Sequence, residues 1–245
     1  MIERTSGLEG KVVLVAGAST GMGRSTAMAA GAGGASVVLA ARNGAALAGA
    51  RDEIVSAGGE GTAVEMDATD RAAVDRAVAL TVERYGRMDV LVDCVGANMP
   101  RRTLLELTAE SWAWMLEVNL TTAFHLTQAA VPVLRGQGGG LLIYVSSMAA
   151  KMADASGPSY QAVKSGVAAL AHATMEEERA AGIRTSVIYP GLTDTPLVDQ
   201  RPTPPPAEVL ARALQPDDVA AACVFLIGLP ARAHVPELLL RPSRP

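Results

Sequence analysis

The sequence predicts an α/β fold: a doubly wound, three-layer αβα sandwich around a mostly parallel central sheet. Three observations carry this expectation. Short apolar, β-branched runs alternate with stretches of helical pattern along the chain. The first run ends in a glycine-rich turn that opens a helix, Gly17-Ala18-Ser19-Thr20-Gly21-Met22-Gly23. Later runs end at Asp67, Gly96, Ser146-Ser147 and Pro190-Gly191, which gathers polar and glycine residues on the ligand-bearing edge of such a sheet. At 245 residues, with 49% hydrophobic and 19% charged residues, the chain can bury a sizeable core. Its length suits one domain over 1–245, with a short lead-in at 1–10.

Residues 11–16 (KVVLVA) suit a strand buried on both faces. Gly17, Ser19, Thr20, Gly21, Met22 and Gly23 lead from it into a helical pattern over about 22–32. Strand, glycine turn and helix start are the setting that phosphate binding needs. Glycine lets the backbone approach a pyrophosphate, and unpaired N–H groups at the helix start meet its charge. An ordinary strand-to-helix turn is the plainer alternative. Gly31, Gly33 and Gly34 fall where that helix ends and read as its cap.

The second strand, 35–41, stops at Arg42. An Asp or Glu here would hold the ribose 2′-hydroxyl of NAD, whereas an Arg suits a 2′-phosphate. Ala40, Ala41 and Asn43 supply no carboxylate, so NADP(H) is preferred, with NAD(H) as the alternative and a solvated loop as the plain reading of Arg42. After a helix over about 44–57, a third strand at 62–66 ends at Asp67, which can accept from an adenine amino group or cap the helix that starts near Asp70. That helix runs to about Tyr85. The fourth strand, 88–95, carries Asp93 at a position expected to be buried, where it needs backbone or water partners.

A long helical pattern over 108–134 contains Asn119; Thr108 to Ser111 can cap its start, and Pro132 is expected to bend or end it. The fifth strand, 141–145, delivers Ser147, which is either an active hydroxyl or a turn residue satisfying nearby backbone. A helix over 160–180 rich in small residues follows, then the sixth strand, 183–189, and Pro190-Gly191. Six prolines between Pro190 and Pro206 stiffen the loop at about 192–215, expected to lie beside a ligand as a short lid with no strand of its own. A helix over 216–229 and a last strand, 235–240, complete the chain before a tail from Arg241.

Composition narrows the function. The net charge of −4 has no basic block, and eight aromatic residues offer few stacking platforms, so nucleic acid is not an expected partner. Cys94 and Cys223 lack metal spacing and read as reduced core thiols, and His125, His172 and His234 are scattered, so no metal site is expected. The start has no apolar leader and no apolar run is long enough to span a bilayer, which points to a soluble cytoplasmic protein with no membrane contact.

Tyr160 and Lys164 stand four residues apart, so on a helix a phenol and an ammonium share one face, about 5–6 Å apart at Cβ. A cation there favours the phenolate, by up to roughly 4 kcal/mol at an effective dielectric of about 20, and suits the phenol to acid/base work. A surface Tyr beside a Lys is the bland alternative. Ser147 precedes Tyr160 by thirteen residues across a loop of small side chains, so both can face one site.

Together these residues resemble the short-chain dehydrogenase/reductase family over nearly the whole chain. Gly17, Gly21 and Gly23 match its glycine signature, Asp67 its adenine-binding acid, and Asn119, Ser147, Tyr160 and Lys164 its catalytic set, with Pro190, Gly191 and Thr195 on its Pro-Gly turn and following Thr. The resemblance implies a Rossmann-type, seven-stranded sheet and hydride transfer between nicotinamide and a carbinol or carbonyl carbon. It implies Tyr160 as acid/base, Ser147 holding the substrate oxygen, Lys164 also bonding the nicotinamide ribose, and Asn119 positioning a water. Ala68, Gly96 and Thr193 join the implied cofactor contacts. A small-molecule alcohol or ketone is the implied substrate, and a homodimer or homotetramer, built partly on the helices bearing Asn119 and Tyr160, the implied assembly.

Two departures stand out. Ala16 replaces the family's usual Thr, and Asp93-Cys94-Val95-Gly96 replaces its usual Asn-Asn-Ala-Gly. Neither removes a catalytic atom. Met99, Met148, Met152, Leu192 and Leu197 suggest an apolar substrate pocket; Arg101 and Arg102 either greet a substrate carboxylate or are solvated loop residues. A catalytically silent NADP-binding sensor or scaffold of the same fold is the alternative function.

Overall fold

Seven strands, β1 (Val12–Ala16), β2 (Ser36–Ala41), β3 (Glu60–Glu65), β4 (Val90–Asp93), β5 (Gly140–Val145), β6 (Ile183–Pro190) and β7 (Glu237–Leu240), pair in parallel in the order β3-β2-β1-β4-β5-β6-β7. They are the frame of a computed structural model that describes residues 7–243. The lead-in residues 1–6 and the last two of the tail therefore lie outside the described residues. Leu8 is nonetheless buried, and its N–H donates to Gly33 O at 2.7 Å.

The strand residues divide by parity, which is why the runs read as continuously apolar. On β1, Leu14 and Ala16 join one core cluster while Val13 and Val15 join the other. Helices α1 (Gly21–Ala32), α2 (Gly44–Ser56) and α8 (Pro216–Gly228) cover the Val13 face. Helices α3 (Arg71–Tyr85), α5 (Thr122–Gly136) and α6 (Pro158–Glu178) cover the Leu14 face. Each fully buried Val or Leu contributes about 1.5–3 kcal/mol, so both layers are needed to hold the sheet. The chain winds outward from β1 to β3 and returns at β4 beside β1, with Ala16 in register with both Ala40 and Asp93. A crevice opens at the carboxyl ends where the winding reverses.

The structure corrects the expectation of a single long helix. The pattern breaks into α4 (Ala109–Leu116), a π-helical turn at Glu117–Thr121, and α5. The break falls on Asn119, and π-turns cluster at functional positions because they redirect side chains. Pro132 lies inside α5, which continues to Gly136. Both Pro132 and Gln128, four residues before it, are exposed, so the carbonyl that loses its helical donor lies on the solvent side. The Thr108 cap expected from sequence is present as a reciprocal box with Ser111. The proline-rich loop holds no full strand; it carries a bridge from Thr193 to Leu214, a 3-10 turn at Val198–Gln200 and the short helix α7 (Ala207–Leu210).

Candidate active site

The glycine turn is shaped for close approach. Gly17 and Gly21 have φ of 79° and 53°, a region that favours glycine. A Cβ on Gly17 would lie 2.8 Å from Cys94 O, and one on Gly23 would lie 2.2 Å from Gly17 O. No side chain caps α1 at Thr20 and its first turn holds no acid, so its leading N–H groups are open to an anion. A cavity of about 700 Å³ runs over this turn, lined by Gly17, Ser19, Thr20, Gly21, Met22 and Gly23.

Arg42 and Asn43 stand at one end of that cavity with Asp67 and Ala68. Asp67 Oδ1 accepts from the Thr69 N–H at 2.9 Å and its hydroxyl at 2.8 Å. These bonds, with a smaller contribution from the Arg42 charge, hold its carboxyl below the ordinary carboxylate range. Asp67 does not cap α3; Asp70 does, accepting from Ala72 N at 2.9 Å. That leaves Asp67 at the cavity wall without a helix-capping duty.

At the other end, α6 begins at Pro158 and presents Tyr160 and Lys164, 8% and 4% exposed. Lys164 Nζ donates to Val145 O at 3.1 Å and lies 5.9 Å from the Tyr160 ring centroid. Its other two N–H donors remain for a ligand. Asn119 is buried behind this pair: its Oδ1 accepts from Ala97 N and its Nδ2 donates to Met115 O, both at 3.0 Å. Gly96 lies against both, for a Cβ there would be 3.1 Å from Lys164 Nζ.

A second cavity of about 660 Å³ meets the first, and Met22, Ser146, Tyr160, Thr195 and Leu197 line both. Ser147 lines only the second, and so do Pro190, Gly191 and Thr193. The Ser147 Oγ accepts from Ala149 N at 3.1 Å, as a turn residue would, and beside the cavity its own proton is left without a protein acceptor among the described residues. The Thr193 hydroxyl donates to Gly191 O at 3.1 Å. Met148, Met152, Leu192 and Leu197 line this cavity as expected; Met99 instead packs beside Tyr160 in a small core cluster.

Arg101 is exposed, as a loop residue would be, whereas Arg102 is 4% exposed and lines the second cavity. Sequence reasoning missed Asn98, also at the cavity wall, whose Nδ2 donates to Ser156 O at 3.1 Å. No motif marks it. Asp93 found the backbone partner it required, accepting from Val95 N at 2.9 Å. Burial raises its pKa to about 6, against the opposing attraction of Lys164. Among the described residues no helix is long and apolar enough to cross a membrane.

A Rossmann-type sheet with a dinucleotide-sized groove at its winding reversal, abutting a second cavity at a buried Tyr-Lys pair, defines a nicotinamide-dependent oxidoreductase acting on alcohol or ketone groups. Residues 11–205 match the family model described as short chain dehydrogenase, and the chain belongs to that family. It is 32% identical over 232 residues to a 3-oxoacyl-[acyl-carrier-protein] reductase of Synechocystis sp., covering 93% of each chain. A metagenomic short-chain oxidoreductase solved with NADP superposes with a TM-score of 0.83 at 31% identity, covering 97% of this chain and 99% of that one. A 7α-hydroxysteroid dehydrogenase solved with NADH superposes with a TM-score of 0.86 at 26% identity, over 98% and 96%.

Proposed function

We propose that the chain is an NADP(H)-dependent oxidoreductase that interconverts a secondary alcohol and a ketone with Tyr160 as the acid/base. The observation that carries this reading is the position of Tyr160, which lines both cavities and so stands between a dinucleotide and a substrate. The groove suits the cofactor: Gly17 and Gly23 pack too closely on the backbone at Cys94 and Gly17 to carry a Cβ, so the tight turn lines the cavity with bare backbone ahead of the uncapped start of α1. A nicotinamide held there would supply the hydride chemistry at the substrate carbon.

The chain's own groups do the rest. Ser147 holds the substrate oxygen with its remaining proton, and Tyr160 gives that oxygen a proton in reduction or removes one in oxidation. Lys164 bonds the nicotinamide ribose with the donors that Val145 O leaves over. Asn119 fixes the backbone at Ala97 and, through Gly96, the wall against which Lys164 rests. The rate comes from positioning and fixed electrostatics. Arg42, with no carboxylate at Ala40, Ala41 or Asn43, favours NADP(H) over NAD(H).

The same reading takes 1–245 as one domain whose loop at about 192–215 borders the substrate, working in the cytoplasm as a homodimer or homotetramer. Exposed Trp112 and Trp114 on α4 and Phe124 on α5 support association through that region. Turnover is the test. Tyr160→Phe should bind NADPH as tightly as the parent and consume none with a panel of ketones; a variant that still reduces them would remove Tyr160 from the chemistry. A parent that binds NADPH yet reduces no member of the panel would favour the silent sensor.

A further inference from the structure

The second cavity carries a charge pattern that hydride transfer does not require. Arg102, Arg201, Arg212 and Arg241 line it, against one carboxylate, Asp154, among its described lining residues. Asp154 is already engaged, accepting from the N–H of Ser156 at 2.9 Å and from its hydroxyl. No described Asp or Glu forms an ion pair with Arg102 or Arg201.

Arg102 is the fixed member of the group. Its Nε donates to Met99 O and its Nη2 to Gln200 O, each at 2.7 Å, and it is 4% exposed. A Cβ on Gly157 would lie 2.5 Å from Arg102 O, so the backbone before α6 closes over it. Two of its five N–H donors are used and three remain. A buried guanidinium with no ion-paired carboxylate is costly, and here burial, followed by the charge of Arg201, holds the Arg102 pKa below its ordinary value against the weaker opposing pull of Tyr160 and Asp154. An anion between the two guanidinium groups would relieve both penalties. Met148, Met152, Leu192 and Leu197 line the same cavity and suit a hydrocarbon body.

We propose that the substrate is a ketone or secondary alcohol bearing a carboxylate, with its reacting oxygen at Tyr160 and Ser147 and its carboxylate at Arg102 and Arg201. The reacting end rests on the function proposed above; the anionic end rests on the arginine pair. In reduction NADPH gives a hydride to the carbonyl carbon and Tyr160 a proton to its oxygen, and the carboxylate is unchanged. The planar guanidinium fork matches a carboxylate in two parallel bonds. A neutral analogue would leave buried donors unpaired, which is a strong basis for rejection.

The test separates charge from chemistry. Levulinate and 4-oxocyclohexanecarboxylate are each compared with their primary amides as substrates with NADPH. In parallel, cyclohexanecarboxylate and cyclohexanecarboxamide are titrated calorimetrically into enzyme loaded with NADP+, which reads binding without turnover. The acids should exceed the amides about tenfold or more in kcat/KM and in affinity, and Arg201→Gln should shrink both preferences about fivefold or more. Arg102→Lys, which keeps the charge and loses the fork, should also lower the acid preference about threefold or more, and an unchanged preference would remove Arg102 from the anion site. Equal or weaker affinity for the acid would overturn the proposal even with ketone turnover intact. An acid preference in binding with no turnover of any ketone would uphold the anion site and overturn the oxidoreductase assignment instead.

Discussion

Gly96 and Lys164 are in contact across the floor of the dinucleotide groove: a Cβ added to Gly96 would lie 3.1 Å from Lys164 Nζ, and 3.3 Å from Asn119 Oδ1. Asn119 is pinned by two hydrogen bonds, so the lysine is the neighbour that must yield. Gly96→Ala should therefore displace Lys164 by a few tenths of an ångström and lower kcat/KM by about tenfold, since catalysis is sensitive to such shifts. Its unfolding free energy should change by only about 1 kcal/mol. Steady-state kinetics beside urea unfolding separate the two; a Gly96→Ala enzyme of full activity would show that the lysine has slack.

Asp93 gives a pH signature. Its folded pKa of about 6 lies above the usual carboxylate value of 3.8, so the native state holds this proton more tightly than the unfolded chain. The penalty for ionising it is absent below 3.8, grows as pH rises, and is complete above about 6. The gap of about two pH units corresponds to an upper bound of about 3 kcal/mol. Asp93→Asn can still accept from Val95 N and should be more stable than the parent at pH 8, by up to that amount. At acidic pH the difference should shrink toward zero. Urea unfolding at both pH values decides it, and an equal gap at each would remove ionisation as the cause.

These two sites show what the sequence could convey. The strands were legible because both faces of the sheet are covered, which forces apolar residues at every position of runs such as 12–16. The Tyr160–Lys164 pair was legible because helical spacing alone brings its members together. The π-turn at Asn119 was not, because a single widened turn leaves the apolar pattern on either side intact. Asn98 escaped, and the burial of Arg102 with it, for a different reason. Their burial depends on the approach of Gln200 and Ser156, about a hundred and about sixty residues further on, and no local pattern encodes such contacts.

Arg42 sets the expected cofactor preference. It is exposed at the end of β2 and shares the cavity wall with Asn43 and Asp67. A charge-assisted contact to a 2′-phosphate is worth about 1.5–3 kcal/mol, and exposure reduces it. Arg42→Ala should weaken NADPH binding about tenfold while leaving NADH within about twofold. The NADPH effect should diminish as salt rises. Fluorescence titration of both cofactors measures this, and equal losses for the two would end the 2′-phosphate argument.

Lys164 joins the cofactor site to Asp93, and the two should be coupled in stability as well as in function. In the parent, the Lys164 charge opposes the rise in the Asp93 pKa that burial causes. Lys164→Met removes that charge, along with the donor to Val145 O and the donors assigned to the nicotinamide ribose. The variant should lose cofactor affinity and turnover together, each by about tenfold or more. It should also be destabilised more at pH 8 than at pH 5, because an ionised Asp93 then lacks its compensating cation. Adding Asp93→Asn should abolish that pH dependence, since the buried carboxylate that Lys164 compensates is then gone. It should not restore turnover, which needs the ammonium itself. A double-mutant cycle read by urea unfolding at the two pH values, with kinetics on all four proteins, measures both effects. Additive stabilities at pH 8 would show that Asp93 and Lys164 do not sense each other. Recovery of turnover in the double variant would show that Lys164 serves only to balance a charge.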